Sequence, residues 1–446
     1  MTPFGFTPSD GNDESENSDE TPPDFAALFA ALQSQLQSQF GEQLPENLQK
    51  DIEAEFVKLG LNPVGFLNPF HAQATGQTLP KEVIRDIAKK IVNTAGTKLI
   101  GETDLVVMRE AMGIADLWLN EATVFPAQSN EKNIYSRIDW IDATVEGWQS
   151  TVEPLAAGLA QAMASVVESQ ELPEGAPAMN AIADMLRAFI GTLIATQLGQ
   201  SIGALATSVT GAHDVALPLI SPARPALLPE NIALWGTDIG LPESEVRIFH
   251  ALREGAVARL FDSNPWLVDY MRNSIADYGK GIRIDIEKMK SQAQDAIDAG
   301  AIDPENPASF SIALNEGLFT PDESPSQQLA LAKLETALAL IDGWVDDVLT
   351  VAAASRLPSL NALRESLRRA RATSSPAQQL FSSLFGLEVS PRMSREASAF
   401  WTQLRQLRDL SARDQIWSGI LPTQQDLTDV TGYLKSVEVP DDLSGL

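Results

Sequence analysis

Cysteine is absent from all 446 residues. The chain therefore has no disulfide, no thiolate zinc site and no cysteine nucleophile. That absence suits a reducing compartment, and a cytoplasmic protein is expected. Histidine is nearly as scarce, with only His71, His213 and His250. Three such scattered residues leave a Ser-His-Asp triad few ways to assemble, and no G-x-S-x-G elbow is present. Walker loops and dinucleotide fingerprints are missing too. No uninterrupted apolar run reaches the roughly 18 residues of a membrane span. The nearest approach, residues 190–209, is broken by Thr196, Gln197, Gln200 and Ser201. The first residues lack the basic and apolar regions of a secretory leader, so none is expected.

Positive charge is the next shortage. Lys and Arg number 32 against 60 Asp and Glu, a formal net charge of -28. So acidic a chain argues against sequence-blind binding of DNA, RNA or an anionic membrane, and neither nucleic acid nor membrane is expected as a partner. The deficit is uneven. Residues 351–415 hold ten Arg, no Lys and five acids, a local balance of +5. Such a basic island is expected to meet the chain's own acidic side chains; an anion site is the alternative.

What remains is ordinary globular material, 44% hydrophobic and 21% charged. It suffices for one large core or for roughly two or three domains of about 150 residues. Residues 1–23 are an acidic, Ser- and Pro-rich tail without Lys or Arg, expected to be disordered. Residues 24–78 read as a helical segment and loop. Phe25, Phe29, Leu32, Leu36 and Phe40 make its stripe, and His71 lies in the loop at an expected surface position.

Residues 79–446 read as one helical domain, with apolar stripe following apolar stripe. Gly191, Gly199 and Gly203 lie in a segment from 179 to 209 and let another helix approach closely. Trp118, Trp140 and Trp148 are expected core anchors. A long helix capped by Ser324 or Ser326 carries Leu334, Leu338, Ile341, Val345 and Val348 at core spacing. Arg364, Arg368 and Arg371 share one face of the next helix. Alternating runs long enough for a large sheet are missing. The fold class is therefore mainly α, with room for a small sheet.

The stretch from Val246 to Asp285 organises the rest. Val246, Phe249, Ala256, Val257 and Leu260 recur at helical spacing, one face turned to a core. On that helix Arg253, Glu254 and Val257 stand at the spacing of H-E-x-x-H. In that motif two His one turn apart clasp zinc and the Glu activates its water. Here Glu254 keeps its place while Arg253 brings a permanent positive charge to the first ligand position and Val257 offers no lone pair. His250 and Glu254, at i and i+4, are the remaining donors on that face. The structural reading pairs Arg253 or His250 with Glu254 or Asp342; His213, beside Asp214 in a loop, adds little to either.

REGAVARLF at 253–261, PWL at 265–267 and YGKGIRID at 278–285 resemble a largely actinobacterial family grouped with the zincins and labelled hydrolase or zinc-dependent metalloprotease. The resemblance runs on through LETALALIDGWVDDV at 334–348 and FGLEVSPRMSREASAFW to Trp401, covering roughly Asp104 to the C-terminus. One branch of that family, associated with deazaflavin coenzyme biosynthesis, carries the full motif and a downstream Glu-Gly-His. The branch most similar to this chain carries Arg-Glu-x-x-His. This sequence matches the latter at Arg253 and Glu254, departs at Val257, and reads Asp342, Gly343, Trp344 downstream. The resemblance implies a zincin-like helical domain in which Asp342 stands at a third ligand position that Trp344 cannot fill.

The reading that results is a zincin-like protein with a degenerate zinc site, serving as a non-catalytic module that holds a peptide or protein partner. Its cleft is flanked by His250, Arg253, Glu254, Val257, Asp342 and Trp344, with Glu254 the candidate catalytic residue. No metal ligand set is assigned and no cofactor is expected. The alternative is an active metal-dependent hydrolase with an unconventional site, in which zinc is held by His250, Glu254 and Asp342.

Overall fold

Among the described residues, apolar positions recurring at three and four wind into helix, and twelve α-helices stand there. The computed structural model describes residues 78–127, 133–168, 179–282, 324–373, 378–379, 381–382 and 393–437. The expected tail at 1–23, the stripe and loop at 24–77 and His71 lie outside them. The chain divides into two units, Met1–Pro63 and Val64–Leu446, and all described residues belong to the second.

In chain order, helices α1 (Lys81–Ala95) and α2 (Glu102–Ala122) precede strand β1 (Asn133–Ile134). Then come α3 (Arg137–Glu168), α4 (Met179–Ala206), strand β2 (Ala226–Leu227) and α5 (Pro229–Ile239). Helices α6 (Glu243–Ser263), α7 (Pro265–Lys280), α8 (Pro325–Ala353) and α9 (Leu360–Thr373) follow. The last are α10 (Ser394–Leu407), α11 (Leu410–Gln415) and α12 (Val430–Val437). The small sheet is a parallel pair, Asn133 opposite Ala226 and Ile134 opposite Leu227. Among the described residues no helix is long and apolar enough to cross a membrane.

Helices α6 and α8 form the centre. α6 packs on α2, α5 and α8, while α8 also packs on α2, α7 and α10. The spacing in α6 predicts a single apolar face, yet every residue from Phe249 to Phe261 is buried except the half-buried Arg253. Small side chains at Ala251, Gly255, Ala256 and Ala258 admit neighbours on the other faces; a Cβ at Gly255 would sit 2.9 Å from Leu119 Cδ1. α8 begins as its sequence predicts. Ser324 Oγ accepts from the Gln327 backbone, the Gln327 side chain accepts from Ser324 N, and Pro325 opens the first turn. All five of its predicted core residues are buried.

Aromatic anchors fill the spaces between helices. Trp140 and Trp148 are fully buried, whereas Trp118 is partly buried with the Arg356 guanidinium 5.6 Å from its ring centre. The basic island closes on acids of α8. Arg364 and Arg368 pair with Asp346, and Arg405 and Arg413 pair with Asp347. The Arg364 hydrogen bond, against the effect of burial, holds Asp346 at a pKa of about 2.

Two glycines of α4, Gly199 and Gly203, meet α1. A Cβ on Gly199 would lie 2.8 Å from the Ile84 carbonyl oxygen, and one on Gly203 would lie 2.7 Å from Ile91 Cβ. A branched side chain has no space there. Gly203→Val is expected to cost about 1–3 kcal/mol through overpacking, lowering Tm in calorimetry by a few degrees. An unchanged or raised Tm would show that α1 yields without cost.

Candidate functional site

A pocket of ≈ 370 Å³, counting the space at its open mouth, lies between α6, α8, α9 and the loop from Thr210 to Ala216. Helical spacing puts His250, Arg253, Glu254 and Val257 on one face of α6, and all four line it. From α8, Asp342 joins them with Ile341 and Val345. Trp344 does not. Two residues along a helix is a rotation of about 200°, so Trp344 faces the opposite side. There it is fully buried, donates Nε1–H to Asp414 Oδ1 at 2.8 Å and packs edge-on to Trp417. Its assignment to the cleft is corrected accordingly.

Glu254 is held on both oxygens. Oε1 accepts from Ala226 N at 2.9 Å and lies 2.8 Å from His213 Nδ1; Oε2 accepts from His213 N at 3.0 Å. Strand β2 and the Thr210 loop thus approach the carboxylate from two sides. The backbone comes close enough only because residue 211 is glycine: a Cβ there would sit 2.3 Å from Oε2. The expected partners of Glu254 are Arg253 or His250; its ring partner is instead His213, the loop histidine set aside above. A carboxylate only accepts, so Nδ1 carries the proton, as in the carboxylate–histidine pairs that fix ring orientation.

The remaining charges form one chain of contacts. Arg253 Nη2 donates to Asp342 Oδ1 at 2.8 Å, as expected, and Arg371 Nη1 from α9 donates to the same oxygen at 2.6 Å. The other end of the Arg371 fork, Nη2, reaches Asp214 Oδ1 at 2.7 Å. Asp214 Oδ2 accepts from Thr210 N and Thr210 Oγ1, both at 3.0 Å. With its proton directed to Asp214, Thr210 Oγ1 accepts from His250 Nδ1 at 2.9 Å.

Burial alone would raise both aspartates. The Arg371 charge, helped by Thr210 at Asp214 and by Arg253 at Asp342, overrides burial and keeps each below the usual carboxylate range. Burial also lowers Arg253, and it pushes His250 down to about 3 against the pull of Asp214. His250 is therefore neutral at pH 7.

Sequence reasoning assembled His250, Arg253, Glu254, Val257 and Asp342. It missed Thr210, Gly211, His213, Asp214 and Arg371 as members of the same site. Arg371 had been placed on a helical face, which says nothing of its partner. The Thr210 loop has no periodicity, and T-G-A-H-D carries only a faint signal in its Gly followed by His-Asp. Among the described residues no group of three or more His, Asp and Glu side chains is arranged to hold a metal ion.

The His250 shift has a consequence for stability. Below the ordinary pKa of about 6.5 the unfolded chain takes up a proton at this residue and the folded one does not. Its contribution is fully present above about 6.5 and is lost as pH falls towards the folded value of about 3. Denaturant unfolding is expected to lose stability between pH 7 and pH 4 more steeply in the wild type than in His250→Gln. Parallel profiles would contradict the neutral, buried state.

Residues 80–434 match the sequence profile of the Zincin-like metallopeptidase family. No curated protein matches the sequence. A solved structure from Chloroflexus aurantiacus, described as "a putative hydrolase with a novel fold", is similar in fold, with a TM-score of 0.53. It shares 17% identity, over 81% of this chain and 100% of that one. A profile that spans most of the chain, with its motif helix at the centre of the fold, identifies the protein: it belongs to the zincin-like metallopeptidase family.

Proposed function

We propose that this zincin-like protein does not hydrolyse peptides but holds them, using a former catalytic cleft in which an ion-pair network stands in place of zinc. The observation that carries the reading is the state of Glu254. A general base of the motif must turn towards a metal-bound water. Glu254 instead accepts from the protein's own donors on both oxygens, one of them the His213 ring.

The other ligand positions support the same reading. Arg253 and Val257 occupy the two histidine positions, and Oδ1 of Asp342 already accepts from two guanidinium groups. Catalytic zinc takes three protein ligands and keeps one open position. This donor set does not fit the ion, and no step is routed through one. What the pocket retains is concave shape, an apolar wall at Val257, Ile341 and Val345, and fixed charges of both signs. A concave site with an apolar wall and a few placed polar groups is what ligand-holding pockets share, and a peptide is the ligand the family suggests.

Glu254→Gln separates holding from hydrolysis. An amide offers one oxygen where the carboxylate offers two, so one of the backbone donors at His213 or Ala226 would face an NH₂ group. Leaving such a buried donor unsatisfied costs about 1–3 kcal/mol, and a fall in Tm is expected with no change in any background peptidase activity. A variant of unchanged Tm that has lost a metal-dependent peptidase activity of the parent would establish the enzyme instead.

A further inference from the structure

We propose that Arg371 is a built-in occupant of a guanidinium subsite, and that the peptide held by this pocket presents an arginine side chain to Asp214 and Asp342 in its place. This rests on the reading of the pocket as a peptide-holding cleft.

The geometry of the two acids comes first. Asp214 from the loop and Asp342 from α8 approach one guanidinium from two sides, at 2.7 Å on Nη2 and 2.6 Å on Nη1. A planar fork with fixed N–H directions satisfies both carboxylates at once; a lysine ammonium, a point charge on a flexible stem, matches that spacing less well. The pair is thus shaped for arginine in particular.

Charge balance makes an empty subsite unfavourable. Asp214 and Asp342 are offset by Arg253 and Arg371, so the four together are neutral. Withdrawing Arg371 leaves Asp342 with Arg253 and strips Asp214 of its only guanidinium contact among the described residues. Those positions then carry one uncompensated negative charge, beside the Glu254 carboxylate, in a partly desolvated pocket where charge interactions are stronger than in water. A second guanidinium would restore what the first supplied.

The occupant sits on the element most easily exchanged. Among the described side chains of α9 only Leu360 and Leu363 are buried, both in its first turn. Leu367 is partly buried against the core one turn on, and beyond it the anchorage is ionic, with Arg371 on Asp214 and Asp342 after Arg364 and Arg368 on Asp346. Replacing Arg371 with an incoming arginine therefore swaps one set of ion pairs for another of the same chemistry while the apolar end of α9 stays seated. Access is open as well. The side chains of Asp214, Arg371 and Asp342 keep 15%, 18% and 23% of their surface exposed, so the cluster meets solvent at the pocket mouth.

Calorimetric titration of the full-length protein with N-acetyl-arginine amide tests this. Arg371→Ala is expected to bind the probe at least tenfold more tightly than the wild type, which must first expel its own side chain. Asp214→Asn in the Arg371→Ala background is expected to abolish the gain, and N-acetyl-lysine amide to bind at least tenfold more weakly than the arginine probe. Should Arg371→Ala fail to fold, hydrogen exchange on the wild type decides: saturating arginine probe is expected to accelerate exchange in the last turns of α9, and N-acetyl-citrulline amide to leave it unchanged. A folded Arg371→Ala protein that binds no better than wild type overturns the proposal, as does unaltered α9 protection where that variant does not fold. Loss of a metal-dependent activity in Glu254→Gln would refute the non-catalytic reading while leaving arginine binding intact, so the two failures are distinguishable.

Discussion

A carboxylate taken out of water must find a partner or lose its charge, and α8 carries three, Asp342, Asp346 and Asp347, along the side it turns to the C-terminal half of the protein. Each costs several kcal/mol to bury alone. Apart from Arg253 of α6, which shares Asp342, their guanidinium partners come from the arginine-rich stretch after α8: Arg371, Arg364 with Arg368, and Arg405 with Arg413. The demand of these acids for guanidinium thus sets where α9, α10 and α11 can lie. Around Asp347 the pairing is deepest. Arg413 is fully buried, donates to Asp347, Asp414 and the Ala122 carbonyl, and lies 5.7 Å from the Trp344 ring centre.

At the pocket the same constraint acts on function. Zinc would satisfy a cluster of carboxylates and imidazoles with one concentrated charge. In the proposed reading two arginines do so instead, delivering their charge through directed hydrogen bonds that occupy the acceptor oxygens. On that reading the exchange follows a consistent logic. Once Arg253 takes the first ligand position it pairs with Asp342, the acid across the cleft, while Glu254 turns to the backbone of β2 and the ring of His213. The motif helix keeps its place in the fold and its glutamate, but its polar groups are spent on holding the protein together.

How far this was legible in the sequence depends on the range of the interaction. Spacing along α6 and α8 located both central helices, and the Ser324 cap fixed where α8 begins, because those signals act over one or two turns. The arginine island was correctly matched to acids of the same chain from charge balance alone. Burial of α6 on every side was less visible, since Ala and Gly contribute little to an apolar stripe although they are what lets helices touch. The partners of Glu254 and Arg371 were invisible: His213 lies 41 residues from Glu254 and Asp214 lies 157 from Arg371, both in an irregular loop. No periodicity links such positions; only the closed fold does. Trp344 was misplaced because a motif read as a string ignores the rotation between neighbouring helical residues.

The central claim is that protein charges have replaced the metal, and zinc affinity is its most direct measure. Zinc would be titrated into the metal-free full-length protein against a competing chelator, with bound metal quantified by elemental analysis. The account predicts no stoichiometric binding. Close to one equivalent of tightly held zinc, released by Glu254→Ala or Asp342→Ala, would contradict it.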